Sequence, residues 1–162
     1  MTVADEPAEG DHIDASRVES LIRLEAEVGV LMRRAKRAMR DRGRMLHPDL
    51  PPGGYMLLTW VAEHGPLRAS ALVDGLGIDK GAVSRMVQTI VDLGLLERHP
   101  DPEDGRASLV SVTADARDRL DRVARERRVH FNDRLAGWSP DDIDRLSAML
   151  SRYNEALERQ GS

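Results

Sequence analysis

From Val18 onward the apolar residues fall at intervals of three and four. Val18, Leu21, Ile22, Val28, Met32, Ala35 and Met39 share one helical face. Ser16 followed by Glu19 reads as a capping box ahead of that run, so a first helix is expected from about Arg17 to Arg42. A helix that long in so short a chain usually has a partner beyond its own domain. Leu50 followed by Pro-Pro-Gly-Gly then breaks the pattern. A second helix follows at about Gly54–His64, with Met56, Leu57, Trp60 and Val61 apolar, and Gly65-Pro66 ends it. A short third helix, about Ala69–Leu76, stops at Gly77. Asp79 caps a fourth, about Lys80–Leu93, which turns Val83, Val87, Ile90 and Val91 inward and ends at Gly94.

The one clear β signal comes next. Leu95–His99 and Ala107–Val112 flank a turn-rich segment from Pro100 to Arg106 and read as a β-hairpin. Thr113 caps a fifth helix, about Ala114–Ala136, with Leu120, Val123, Ala124, Phe131 and Leu135 on one face. Ser139-Pro140 opens a sixth, where Ile143, Leu146, Met149, Leu150, Tyr153 and Leu157 form a stripe larger than a winged-helix core can cover. The expected class is mainly α with a small β-hairpin wing: a winged helix-turn-helix between long terminal helices. The organisation is an acidic, disordered tail at 1–15, an N-terminal helix at 16–50, the winged lobe at 51–112 and C-terminal helices at 113–162, the terminal helices being dimerisation elements by the family resemblance given below.

Composition narrows the chemistry. The 162 residues contain no cysteine, which removes disulfides, thiolate metal sites and cysteine nucleophiles. Aromatics are only 3%, so the core must be aliphatic. No apolar run approaches the roughly 18 residues of a membrane helix, and residues 1–14 are acidic, unlike an export signal. A cytoplasmic protein is expected. There is no Gly-x-Ser-x-Gly, phosphate loop or His-Glu-x-x-His, so no enzyme activity and no cofactor are expected. The five histidines lack metal-ligand spacing.

Two short helices, a Gly77-containing turn and a hairpin make a winged helix-turn-helix. The fourth helix is short enough for a major groove about 12 Å wide, and its polar face offers Lys80, Gly81, Ser84, Arg85 and Gln88. Charge argues less plainly. From Pro66 to Val112 five basic residues stand against seven acids, and the whole chain carries −4 at pH 7, so the acids are expected to face away from DNA.

At these residues the chain resembles the MarR family of bacterial transcription regulators. The likeness rests on Ala82-Val83-Ser84-Arg85, on Leu93-Gly-Leu-Leu-Glu-Arg98, and on the wing from Asp101 through Asp104 and Arg106 to Ser108. Val110-Ser-Val-Thr113 leads on from it. The resemblance implies a homodimer held by its terminal helices, acting as a repressor on a palindromic double-stranded operator and released by a small-molecule effector. By position, Lys80, Ser84, Arg85 and Gln88 are the recognition-helix contacts and Arg106 the arginine entering the minor groove. Arg98 joins the DNA-binding set, and Asp104 is the acid that fixes the wing. Gly105 stands where family wings often carry arginine. Tyr55 and Trp60 have two readings: helical spacing suits core packing, and the resemblance suggests an effector pocket. The basic stretch Arg33, Arg34, Lys36, Arg37, Arg40, Arg42 and Arg44 is either a solvated face or an anion contact. The competing function is a winged-helix protein-interaction module without operator binding.

Overall fold

The structure, a computed structural model, describes residues 14–159. Residues 1–13 lie outside it, and with them most of the expected acidic tail. Its last two positions do not belong to a tail, because Asp14 caps the first helix and Ala15 begins it. That helix, α1 (Ala15–Leu46), starts earlier than the capping-box reading required. Asp14 accepts a hydrogen bond from the Ser16 backbone N–H at 3.1 Å, while Glu19 reaches forward to Arg23 at 3.8 Å. Aspartate caps a helix as well as serine does, so the upstream residue takes the role.

α1 also runs four residues past the expected stop at Arg42. Gly43, the next residue, is buried inside the helix. A Cβ there would stand 3.4 Å from Leu50 Cδ2 and 3.7 Å from Tyr55 Cβ, so the bare backbone is where α1 meets the next element. Leu46, almost wholly buried, closes the helix into the core.

Two compact units divide the chain within the fifth helix, one ending at Arg117 and the other starting at Asp118. In the first, α2 (Gly54–His64), α3 (Ala69–Leu76) and α4 (Lys80–Asp92) follow α1. Gly53 and Gly77, both with positive φ, provide the backbone that starts α2 and stops α3. A two-residue strand, β1 (Leu67–Arg68), precedes α3. It was not expected. The hairpin strands β2 (Leu96–Pro100) and β3 (Ser108–Val112) each begin one residue later than the sequence suggested. The sheet is antiparallel in the order β1-β3-β2, with Leu67 opposite Val110 and Leu96 opposite Val112.

Aliphatic side chains fill this unit, as the scarcity of aromatics required. Leu57, Leu58 and Val61 of α2, Leu72 of α3, and Val83, Val87 and Ile90 of α4 are buried with Leu95, Leu96, Val110 and Ala116. Val91, expected inward, is only half-buried. α4 is thereby fixed by one face, which leaves the other to solvent.

The second unit holds most of α5 (Ala114–Arg134) and all of α6 (Pro140–Glu158). Thr113 Oγ1 accepts the Ala116 N–H at 3.2 Å, and Ser139 caps α6 with Pro140 in its first turn. The expected α5 stripe does not stay on one footing. Leu120 and Val123 are buried, whereas Phe131 is 62% exposed. On α6 the stripe Leu146, Met149, Leu150, Tyr153 and Leu157 is exposed throughout. The same holds for Leu21, Ile22, Leu31 and Met32 of α1.

Candidate nucleic-acid interface

α4 presents its polar face because its apolar residues recur at three- and four-residue intervals on the opposite one. Lys80, Ser84, Arg85 and Gln88 are all exposed, and Gly81 is half-buried among them. Asp79 Oδ1 accepts the Ala82 N–H at 3.0 Å and so fixes where the helix begins. A Cβ on Gly81 would lie 3.3 Å from Arg85 Nη1, so the guanidinium folds back over that glycine.

Gln88 and Arg98 are not independent side chains. Gln88 Nε2 donates to Asp92 Oδ1 at 2.8 Å, and its Oε1 accepts from Arg98 Nη2 at 3.5 Å. Arg98 on β2 also donates to Ser108 Oγ on β3 at 3.4 Å. A polar chain therefore links the outer face of α4 to both wing strands.

The wing loop is shaped by two aspartates. Asp104 Oδ1 accepts the Arg106 N–H at 3.1 Å and its carbonyl accepts the Ala107 N–H at 2.8 Å, turning the tip. Asp101 works at the base. It is 6% exposed, donates its N–H to the Ala107 carbonyl at 3.1 Å, and accepts the Glu103 N–H on Oδ1 at 2.9 Å. Its second oxygen, Oδ2, accepts Arg68 Nε at 2.6 Å. That hydrogen bond and the Glu103 N–H hold the Asp101 carboxyl below the ordinary carboxylate range, and the same contact raises Arg68. The acid that ties the wing down is thus Asp101, with Asp104 confined to the tip. Arg106 meets Asp104 through its backbone, and its side chain is exposed at the loop's end.

The acids of the lobe do not all turn away from α4, as the charge balance had suggested they must. Asp79, Asp92 and Asp104 are exposed. Asp79, Asp101 and Asp104 each accept a backbone N–H, and Asp92 accepts the Gln88 amide. Their charge is engaged locally as well as placed.

Comparison with known proteins agrees with this geometry. A sequence model described as MarR family matches residues 49–107, from the residue before Leu50 to the end of the wing loop. The Bacillus subtilis HTH-type transcriptional regulator YxaD is 28% identical over 134 residues, spanning 83% of this chain and 92% of that one. The lobe at residues 49–107 is of the MarR kind. A second relative, the Mycobacterium bovis HTH-type transcriptional regulator Mb0904, is 29% identical over 145 residues and is covered over 99% of its length. A Listeria monocytogenes MarR family regulator, solved in complex with a 26mer DNA, shares the fold with a TM-score of 0.66 at 20% identity. The match covers 83% of this chain and 89% of that one.

Within this MarR-family lobe the expected DNA-facing residues fall in two places. Lys80, Ser84, Arg85 and Gln88 line α4, and Arg98, Asp104 and Arg106 lie on the wing, with Gln88 and Arg98 joined. Sequence reasoning passed over Arg68 and Asp92, and it placed Asp101 in the wing motif without giving it a role. Asp92 stands four residues after Gln88, a spacing that could have suggested their contact. Tyr55 and Trp60, considered for an effector, are respectively buried and half-buried on α2. Trp60 stacks on His64 with ring centroids 4.3 Å apart. Among the described residues no helix is long and apolar enough to cross a membrane, and no group of three or more His, Asp or Glu could hold a metal.

Proposed function

We propose that this protein is a cytoplasmic, dimeric, sequence-specific DNA-binding transcription regulator, acting as a repressor that a small-molecule effector releases. The observation carrying this reading is the exposed polar face of α4 in the same compact unit as a wing tipped by Arg106. Lys80, Ser84, Arg85 and Gln88 would meet base edges and phosphates in the major groove, with Arg98 as a flanking phosphate contact. Arg106, shaped by the Asp104 turn, would enter the adjacent minor groove, whose negative potential is strongest over A·T-rich DNA. The DNA complex of the Listeria regulator supports this assignment by similarity of fold.

Dimerisation is supported by the large apolar side chains left exposed on α1 and α6. Two copies would place their α4 helices on half-sites one helical turn apart, roughly 34–36 Å. A small change in that spacing prevents both from binding together, which is how an effector near Tyr55 and Trp60 of α2 would release the operator. The neighbours of α2 favour such a role: it packs against α1, α3 and β3, so a ligand there would touch both the long helix and the wing.

Selection of genomic DNA on the purified protein, followed by sequencing, tests the proposal. The expected result is enrichment of a palindrome with half-sites one turn apart. No enrichment over random DNA would overturn it in favour of a protein-interaction module.

A further inference from the structure

Arg68 stands at a junction. It is the last residue of β1 and the cap residue immediately before α3, the first helix of the helix-turn-helix pair. Its backbone pairs with Leu109 on β3. Its side chain crosses to the wing loop, where Nε donates to the buried Asp101 at 2.6 Å. Asp101 meanwhile spends its other oxygen on Glu103 N–H and its own N–H on the Ala107 carbonyl. Asp101 therefore closes, through its backbone N–H, the loop that carries Arg106, and its carboxylate fastens that loop to the start of α3.

We propose that Arg68, acting through Asp101, is a positioning residue for DNA recognition: it holds the wing loop in register with the helix-turn-helix so that Arg106 reaches the minor groove while α4 occupies the major groove. The inference rests on the DNA-binding reading above and adds a residue outside α4 and the wing to it. The physical reason is leverage. A two-stranded hairpin is a marginal structure on its own, and Pro100–Arg106 has its exposed tip in a turn. Without a tie at its base, the tip samples many orientations, and ordering it on DNA costs conformational entropy. A carboxylate locked by a guanidinium and a backbone N–H removes that freedom before DNA arrives. Arg68 keeps 44% of its side chain exposed, so a simple charge role is the alternative to be separated.

The two roles predict different signs. If both residues act only as charges near phosphates, Arg68→Ala weakens binding to all DNA and Asp101→Asn strengthens it. If they form a positioning pair, both variants lose the same thing. Affinity is measured for operators whose wing-facing flanks are A·T-rich or G·C-rich, alongside thermal midpoints and amide exchange of residues 101–107 in the free protein. The expected result is that wild type prefers A·T flanks, and that Arg68→Ala and Asp101→Asn both bring the ratio toward unity. Exchange rises at Glu103 and Arg106 while the α4 amides stay protected. Arg68→Lys, which keeps the charge but lacks the Nε–H, should fall with the alanine variant. Opposite signs for Arg68→Ala and Asp101→Asn, or a flank preference surviving in both, would overturn the proposal while leaving operator binding intact. Failure of wild type to discriminate between operator and random DNA would instead overturn the underlying DNA-binding reading, and this one with it.

Discussion

Gly75 shows how much one missing side chain decides. A Cβ at that position would fall onto the six-membered ring of Trp60, too close for either group to remain in place. The indole therefore lies against the bare backbone of α3, and this contact sets how closely α2 and α3 approach. Gly75→Ala should cost about 1–3 kcal/mol by overpacking, outweighing the gain of up to about 1 kcal/mol that alanine offers in a helix. A urea midpoint unchanged or raised in that variant would contradict this packing. Asp101 makes a second residue-scale prediction. Its carboxyl is held low by Arg68 and the Glu103 N–H, so its contribution to stability is whole above the ordinary value near 4. It is lost as pH falls through the lower, folded value. The stability gap between wild type and Asp101→Asn should accordingly be constant from pH 7 to 5 and shrink below about 4. Urea midpoints across that range check it, and a gap that stays constant down to pH 2 would refute it. Neither contact was legible beforehand. Arg68 and Asp101 lie 33 positions apart, and periodicity reports only which face a residue occupies, never its partner across the fold.

Elements were more readable than contacts, because their ends are written locally. α2 and α3 have the limits their flanking Gly, Pro and His residues suggested, and α4 differs by one residue at its C-terminus. The long α1 was misjudged at both ends for a shared reason. Structural context overrode both limits: Asp14 caps the helix upstream of the capping box, and the helix continues past Arg42 where Gly43 packs against Leu50 and Tyr55. β1 escaped notice because two residues have no period, and what makes them a strand is Val110, far along the chain. The exposed polar side of α4 followed from its buried side. At this scale Arg85→Ala provides the test. Its guanidinium rests over Gly81 at the start of the helix, free of any tie to the wing, so its loss removes one contact without loosening the lobe. A reader of a guanine edge would lose about 1–3 kcal/mol and relax preference at one base pair. Uniform weakening on every sequence would mark it as a phosphate contact, and no change would remove it from the interface.

For the whole molecule, the apolar side chains that remain uncovered on α1 and α6 have a consequence for how the chain stays folded at all. Leu21, Ile22, Leu31, Leu146, Leu150 and Leu157 each leave a large part of their apolar surface in water, and that part adds nothing to stability. On the dimeric reading proposed above, covering them with a second copy would add stability that is subject to mass action. Unfolding should therefore depend on dilution: the thermal midpoint is expected to drop when protein concentration is lowered tenfold, and calorimetry at several concentrations reads this directly. A midpoint independent of concentration would mean that these helices are stable alone. If the dependence holds, the folded fraction becomes a function of how many copies a cell contains. Scarce chains would be removed by proteolysis, and abundance would itself set a threshold below which no operator is occupied.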